Sequence, residues 1–210
     1  MRKIAVSLIA FLTVALSVNS AEIPETAKAV LAKIEKANES LSTIVSPVTE
    51  TRTLPNGKKF VSNGNFYFSS PDLLAIHYTN PAGDYLISNA TEIAQKRKQG
   101  KNFRFSLKKN ETMQALSSTL LWCISGKLIK LAEANNASVT TSEADGFINV
   151  VFTAEVRNGR DFKKIELCYD KATMRIKSMA LTDKQNIVTK YTMDKPQYAT
   201  EIDAALFQIK

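Results

Sequence analysis

A long succession of strand-like segments separated by turn signals constrains the fold of this chain more than any other feature. Residues 60–68 divide with a period of two into one face with Phe60, Ser62, Gly64, Phe66 and Phe68 and another with Val61, Asn63, Asn65 and Tyr67, as a strand requires. Turn sequences such as Leu-Pro-Asn-Gly at 54–57 separate the segments. The predicted strands are 43–53, 60–68, 73–78, 85–88, 137–141, 147–156, 161–169, 174–181 and 187–193. With a hairpin in 92–109, about nine to eleven antiparallel strands result.

Two helical segments interrupt this pattern. Apolar residues recur at helical spacing in residues 24–41, with lysines and glutamates on the other side. Residues 112–135 predict a second helical segment, broken near Ser125-Gly126, whose first half is apolar in several directions. Such a helix must be covered on most sides. A short helical turn is also predicted at 203–207.

A sheet of this size curls, and its inner face needs a cover. The sequence therefore predicts a mainly β (α+β) fold, in which a strongly curved antiparallel sheet forms a half-open barrel. An N-terminal helix and a helical lid insertion cover it. This architecture suits a protein that holds an apolar ligand.

The N-terminus has the pattern of a secretory signal peptide. Arg2 and Lys3 precede an uncharged run from residue 4 to 18, and small residues follow at 19–21. We expect a signal peptide at 1–21, cleavage near Ala21, and a single exported domain at 22–210 in the periplasm. No other stretch approaches the roughly 18 apolar residues of a membrane span.

The residue inventory argues against an enzyme. His77 is the only histidine among 210 residues, and no HExxH, GxSxG, CxxC, P-loop or GxGxxG motif occurs. We therefore expect no catalytic residues, no metal site and no cofactor. The two cysteines, Cys123 and Cys168, either form one disulfide or pack as small apolar side chains, and the apolar neighbours of Cys123 favour packing.

A net charge of +8 indicates an anionic partner without choosing one. Basic residues concentrate in 92–109, around a predicted turn at Gln99-Gly100. They form either an edge that docks to acidic headgroups or to an acidic protein, or a solvated hairpin whose lysines prevent edge-to-edge pairing. The sequence favours the solvated hairpin. The docking candidates are Lys96, Arg97, Lys98 and Lys101. The aromatic residues nearby form no base-stacking motif, so we expect no nucleic-acid partner.

Several segments together resemble the outer-membrane lipoprotein carriers of the LolA type. These are the amphipathic start at 24–41, the glycine-started aromatic strand running through a proline into an apolar strand at 64–78, and the Asn-Pro turn at 80–81. The Asp-Tyr-Leu-Ile-Ser-Asn strand at 84–89 and the Asp-Ala-Ala-Leu-Phe turn at 203–207 match in order.

The resemblance implies a monomeric periplasmic shuttle without covalent chemistry. It would take acylated lipoproteins from an inner-membrane lipoprotein-releasing transporter and deliver them to an outer-membrane acceptor. The acyl chains would lie against the inner face of the sheet and the lid. The implied acyl-chain-binding residues are Phe66, Phe68, Leu74, Ile76, Leu86, Leu116, Leu120, Leu121, Trp122 and Ile124.

One position differs from the family pattern. A basic residue that holds the lid shut precedes the proline in other members, whereas Ser70 precedes Pro71 here. A serine has no guanidinium group with which to form a forked hydrogen bond. A carrier or sensor of another lipid or glycolipid therefore remains an alternative function.

Overall fold

The computed structural model describes residues 23–154 and 162–209. The expected signal peptide and the turn predicted at 158–159 lie outside the described residues. The helices are α1 (Glu25–Asn38), α2 (Glu111–Ser125) and α3 (Leu128–Asn135), with short 3₁₀ helices at Leu107–Lys109 and Ala204–Phe207. The strands are β1 (Thr43–Thr53), β2 (Lys59–Ser69), β3 (Leu73–Asn80), β4 (Ala82–Ser88), β5 (Glu92–Lys96), β6 (Phe103–Ser106), β7 (Ser138–Ala144), β8 (Phe147–Thr153), β9 (Phe162–Asp170), β10 (Ile176–Asp183), β11 (Val188–Met193) and β12 (Gln197–Tyr198).

Two meanders build one antiparallel sheet. Its order is β6-β5-β4-β3-β2-β1-β11-β10-β9-β8-β7, and β12 pairs with β1. The chain moves outward from β1 to β6, crosses through α2 and α3 to the other edge, and returns from β7 to β11. Pairing of β11 with β1, from Val48↔Met193 to Thr53↔Val188, joins the two halves.

Contacts of α2 show that the sheet is strongly curved. Ser117 hydrogen-bonds Ser88 in β4, and the carbonyl of Cys123 accepts a hydrogen bond from Tyr169 in β9. Because β4 and β9 are six positions apart in the strand order, a flat sheet would separate them by roughly 29 Å. Ser117 and Cys123 are only about 9 Å apart along the helix. The sheet must therefore wrap around the helices, and the predicted half-open barrel is confirmed.

Asn38, the last residue of α1, fixes that helix to the sheet. Its Nδ2 donates to the carbonyl oxygens of Ile34 at 2.7 Å and Met174 at 2.8 Å, and its Oδ1 accepts from Arg175 at 2.8 Å. A Cβ on Gly126, which has φ 74°, would lie 3.2 Å from the Asn38 Cβ. Gly126 thus ends α2 in a left-handed conformation and keeps α1 and α2 in close contact. The predicted helix break is confirmed at this glycine.

The opposite face of the sheet has a second, smaller apolar cluster. Phe207, in the C-terminal 3₁₀ helix, is 5% exposed and packs with Ala75 and Ile87. Nε2 of His77 lies 2.7 Å from the carbonyl oxygen of Leu206, which holds the same segment. The C-terminal segment therefore covers the outer face of β3 and β4. The sequence predicted a helical turn at 203–207 but not its packing on this face.

Candidate functional site

Five of the ten predicted acyl-chain-binding residues lie on the inner face of β2, β3 and β4. Phe66 pairs with Ile76 and Ile76 with Leu86, so these side chains form one row across three strands. Phe68 and Leu74 pair in the neighbouring row. None of the five is more than 6% exposed. Strand alternation places them on one face, as the sequence pattern indicates.

The other five predicted residues lie on α2. Leu120 and Ile124 are buried, while Leu116, Leu121 and Trp122 are partly buried against the same core. The helix begins after Asn110, whose Oδ1 accepts from the backbone N–H of Met113 at 3.0 Å. The structure thus brings all ten predicted residues into one apolar cluster.

Polar contacts between α2 and the sheet are buried beside this cluster. The hydroxyl oxygens of Ser88 and Ser117 are 2.6 Å apart, and the Tyr169 hydroxyl donates to the Cys123 carbonyl at 2.8 Å. Burial raises the pKa of Tyr169, so its hydroxyl stays protonated and donates. These two bonds hold α2 against β4 on one side and β9 on the other.

The interior is packed in this conformation. Leu31 and Ile34 of α1, Leu128 and Leu131 of α3, and Phe68 of β2 are all completely buried. The helical side chains therefore occupy the space along the inner face of the sheet. A surface pocket of about 240 Å³ lies beside Trp122, between α2 and α3. It is lined by Glu111, Gln114, Ala115, Ser118, Thr119, Trp122, Ala134 and Asn135.

A buried polar cluster, absent from the sequence predictions, lies within the same inner face. Glu50 of β1 accepts hydrogen bonds from the Tyr78 hydroxyl and from Arg97, whose Nη2 is 2.6 Å from the Glu50 Oε2. The Glu50 and Arg97 side chains are only 7% and 11% exposed. Tyr191 is buried beside them, and burial raises the pKa of both tyrosines far above that of a free tyrosine.

A signal for part of this cluster exists in the sequence. Glu50 occupies the same alternating register as Ile44 and Val48, and an acidic residue at an inward position needs a cation. The cation was not identifiable, because Arg97 stands in a run of basic residues, three of which are exposed: Lys96, Lys98 and Lys101.

This burial corrects the docking assignment of Arg97. Its guanidinium group pairs with Glu50 inside the barrel and is not available to an external partner. Its backbone N–H also donates to Asn102 at 2.6 Å, and that of Lys98 donates to the buried Asp84 at 2.9 Å. The loop between β5 and β6 is therefore held in place, and its exposed lysines point outward from it.

The two cysteines are not bonded to each other. Cys123 is buried in the interior, and burial raises the pKa of its thiol. Cys168 lies between Leu167 and Tyr169 in β9, whose side chains enter the core, so its own side chain lies on the other face. The packing interpretation is confirmed, and the alternative of a disulfide is wrong.

Two further observations concern function. Among the described residues, no three His, Cys, Asp or Glu side chains are placed to hold a metal ion. None of the helices in the described part of the chain has the length and hydropathy that crossing a membrane demands.

A half-open antiparallel barrel whose apolar inner face lies under helices defines a class of binding proteins. The chain belongs to the LolA family, since the family model for outer membrane lipoprotein carrier protein LolA matches residues 48–210. The matched range contains all ten predicted acyl-chain-binding residues and the four basic residues predicted for docking. Proteins of this family are carriers or binders. A comparison with curated protein sequences gave no match.

Solved structures with a similar overall shape include a LolA superfamily protein from Nitrosomonas europaea, with 9% identity, a TM-score of 0.42, and coverage of 87% of this chain and 97% of the other. The Pseudomonas aeruginosa MucA/MucB complex matches with 12% identity and a TM-score of 0.46, and the match covers 88% of this chain and 61% of the other. The Mycobacterium tuberculosis lipoprotein LppX matches with 12% identity and a TM-score of 0.42, and the match covers 84% of this chain and 98% of the other. At these values the likeness transfers no ligand or partner to this chain.

Proposed function

We propose that this protein carries the acyl chains of lipoproteins through the periplasm, from the inner to the outer membrane. One observation supports this function above the others. Ten apolar side chains from β2, β3, β4 and α2 converge in one cluster, and α2 is bonded to the sheet at Ser88 and Tyr169. This arrangement allows a helix to exchange its contacts with the sheet for contacts with a ligand.

The energetics of acyl chains require such a protein. Each buried CH₂ group contributes about 0.8 kcal/mol, so transferring one long chain into water costs on the order of 10 kcal/mol. A carrier must replace those contacts during transit. The inner face offers Phe66, Phe68, Leu74, Ile76 and Leu86 for this purpose.

The lid in this proposal is α2, because α1 is held elsewhere. Asn38 connects the end of α1 to Met174 and Arg175, which directly precede β10. By contrast, the polar bonds between α2 and the sheet involve neutral hydroxyl and carbonyl groups, each contributing about 1 kcal/mol. With Ser70 in place of the family's basic residue, closure here depends on these neutral bonds and on apolar packing.

The family membership suggests the partners. An inner-membrane lipoprotein-releasing transporter would supply the cargo and an outer-membrane acceptor would receive it. Lys96 at the end of β5, and Lys98 and Lys101 in the loop that follows it, are exposed and are the candidates for docking to acidic surfaces of these partners. A carrier or sensor of another lipid or glycolipid would use the same interior.

Mass spectrometry of an organic extract tests the proposal. The protein is purified from its native envelope, extracted, and compared with a mock purification from cells lacking it. Acylated lipoprotein in the eluate supports the proposed function, and a different lipid indicates the alternative cargo. A folded wild-type protein that carries no lipid and binds no fluorescent fatty acid in titration contradicts the carrier function.

A further inference from the structure

Strand β2 of the β1–β2 hairpin extends beyond β3, whereas on the other side of the hairpin β11 pairs with β1 up to Thr53↔Val188. Strands β1 and β2 pair up to Thr53↔Lys59, whereas pairing of β2 with β3 begins at Asn63↔Asn80. Residues 59–62 of β2 therefore pair with β1 alone among the described strands. We call residues 52–61 the hairpin tip.

Two large apolar side chains are exposed at the hairpin tip. Phe60 is 44% exposed and Val61 is 56% exposed. Among the described residues, Phe105 in β6 is the other large apolar side chain exposed to this extent, at 38%. Because consecutive strand residues alternate in direction, Phe60 and Val61 point to opposite faces of the sheet, at the free edge that β2 forms beyond the end of β3.

Cations surround these apolar side chains. Arg52 is opposite Phe60 in the ladder, and the Lys58 ammonium lies 5.0 Å from the centroid of the Phe60 ring. Lys59 precedes Phe60. The turns β5–β6 and β10–β11 lie at the same end of the antiparallel sheet. Their exposed cations are Lys96, Lys98, Lys101 and Lys184.

The carboxylates at this end are already engaged. Glu50 is buried in its pair with Arg97, and Asp84 accepts from the Lys98 backbone. Asp183 accepts from the backbone N–H groups of its own turn. The described part of this end of the barrel therefore presents a surface with a strong excess of positive charge.

We propose that the hairpin tip is a reversible membrane anchor that inserts Phe60 and Val61 at the surface of an anionic bilayer. Apolar side chains flanked by cations favour the boundary between headgroups and acyl chains, and each nearby cation adds attraction to anionic lipid. A flat protein partner would cover only one face of this sheet edge. A bilayer that the edge enters end-on can surround it, so it accommodates Phe60 and Val61 together.

Vesicle sedimentation tests the anchor. Wild-type protein should bind vesicles of phosphatidylcholine with about one-third phosphatidylglycerol, and should bind pure phosphatidylcholine vesicles at least about tenfold less tightly. The double variant F60A/V61A should weaken binding to anionic vesicles about tenfold. The matched control F105A removes an exposed aromatic side chain elsewhere and should bind like the wild type.

A charge series separates insertion from simple attraction. K58Q/K59Q should weaken binding to anionic vesicles severalfold, while K33Q/K130Q, which removes two exposed charges from α1 and α3, should have a smaller effect. The variant F60W should show a blue shift of tryptophan emission on anionic vesicles, relative to the wild-type spectrum. Unaltered binding by F60A/V61A, the absence of this shift, or the absence of wild-type binding each overturns the proposal.

Two further measurements identify other outcomes. If gel filtration shows a concentration-dependent dimer that F60A/V61A abolishes, the tip contacts a second copy and the membrane anchor is wrong. Fluorescent fatty-acid binding should be equal in F60A/V61A and wild type, since the tip lies outside the apolar interior. A wild-type protein that binds vesicles but no fatty acid would refute the carrier function and leave the anchor supported.

Discussion

The guanidinium carbon of Arg97 lies 4.0 Å from the centroid of the Tyr78 ring, and its Nη2 lies 2.8 Å from the Tyr78 hydroxyl. Both groups also contact Glu50, so a cation, a phenol and a carboxylate satisfy one another in the barrel. A stacked arginine cannot be replaced by lysine without loss of this geometry. The loop that carries Arg97 is thereby fixed to β1 and β3.

Removing the arginine alone should destabilise the protein. R97M leaves the Glu50 carboxylate buried without its cation, which costs about 3 kcal/mol or more. The double variant E50L/R97M should recover most of that loss, because it removes both charges. Urea unfolding followed by circular dichroism measures both values. As a control, R104Q breaks the exposed pair with Glu92 and should cost less than about 1 kcal/mol.

A charge placed on the inner face should abolish ligand binding. I76E puts a carboxylate in the middle of the row formed with Phe66 and Leu86, where its desolvation costs several kcal/mol. Fatty-acid affinity should fall at least about tenfold, since about 1.4 kcal/mol gives that factor. T79E places the same charge at an exposed position of β3 and should bind normally.

Circular dichroism decides how that result is interpreted. Loss of binding by a folded I76E supports the apolar interior as the binding site. If I76E unfolds, the smaller change I76A is titrated in its place and should still reduce affinity. Normal binding by folded I76E would show that acyl chains bind elsewhere.

Weakening the bond between α2 and β4 should accelerate ligand entry. S88A/S117A removes both hydroxyl groups, so no buried polar atom is left unpaired. A loss of about 1 kcal/mol in the closed state raises the open population about fivefold. Stopped-flow mixing with a fluorescent fatty acid should show a similar increase in rate. S138A removes an exposed hydroxyl of β7 and should leave the rate unchanged.

The thiol of Cys123 should report opening of the lid. It is fully buried and burial raises its pKa, so less of the reactive thiolate forms at a given pH. In C168S, alkylation of the native protein at pH 8 should be at least about a hundredfold slower than in urea. Introducing S88A/S117A should accelerate it. In C123A, the half-buried Cys168 should react readily without unfolding, which serves as the control.

Acid should remove a contribution that Asp170 makes to stability. Hydrogen bonds from the Thr173 hydroxyl and backbone, both 2.8 Å, lower the pKa of Asp170. This contribution to the free energy of unfolding is therefore fully present above the pKa of Asp170 in the unfolded chain, about 3.9. It is lost as the pH falls through the lower pKa of Asp170 in the folded protein. T173V should be less stable than wild type at pH 6, and the difference should shrink by pH 2. T140V, at an exposed position of β7, should show no such pH dependence.

Local alternation and turn chemistry made most of the fold predictable. The resemblance to the LolA family implied the ten predicted acyl-chain-binding residues, and two local patterns, the period of two in β2 to β4 and the apolar character of α2, agree with their interior placement. Arg97 was assigned wrongly because its partner Glu50 is 47 residues away, and a run of basic residues looks the same whether one of them is buried or not. Pairing across such distances leaves no local signal.

The exposure of Phe60 illustrates the same limit. Phe60, Phe66 and Phe68 share one alternating register, and the sequence treats them as equivalent. Phe66 and Phe68 are buried, whereas Phe60 is exposed because β3 ends its pairing at Asn63. The position of β12 and the packing of Phe207 on the outer face likewise depend on contacts between residues far apart in the chain.

The strand order also determines where the barrel is most compliant. Six residue pairs of the β1–β11 ladder join the two halves of the sheet, and widening the barrel there would break backbone hydrogen bonds. The edges β6 and β7 share no ladder in the described structure and are connected through α2 and α3. The interior can therefore widen at that gap at the cost of side-chain contacts alone, and under the proposed function its capacity would adjust to acyl chains of different number and length.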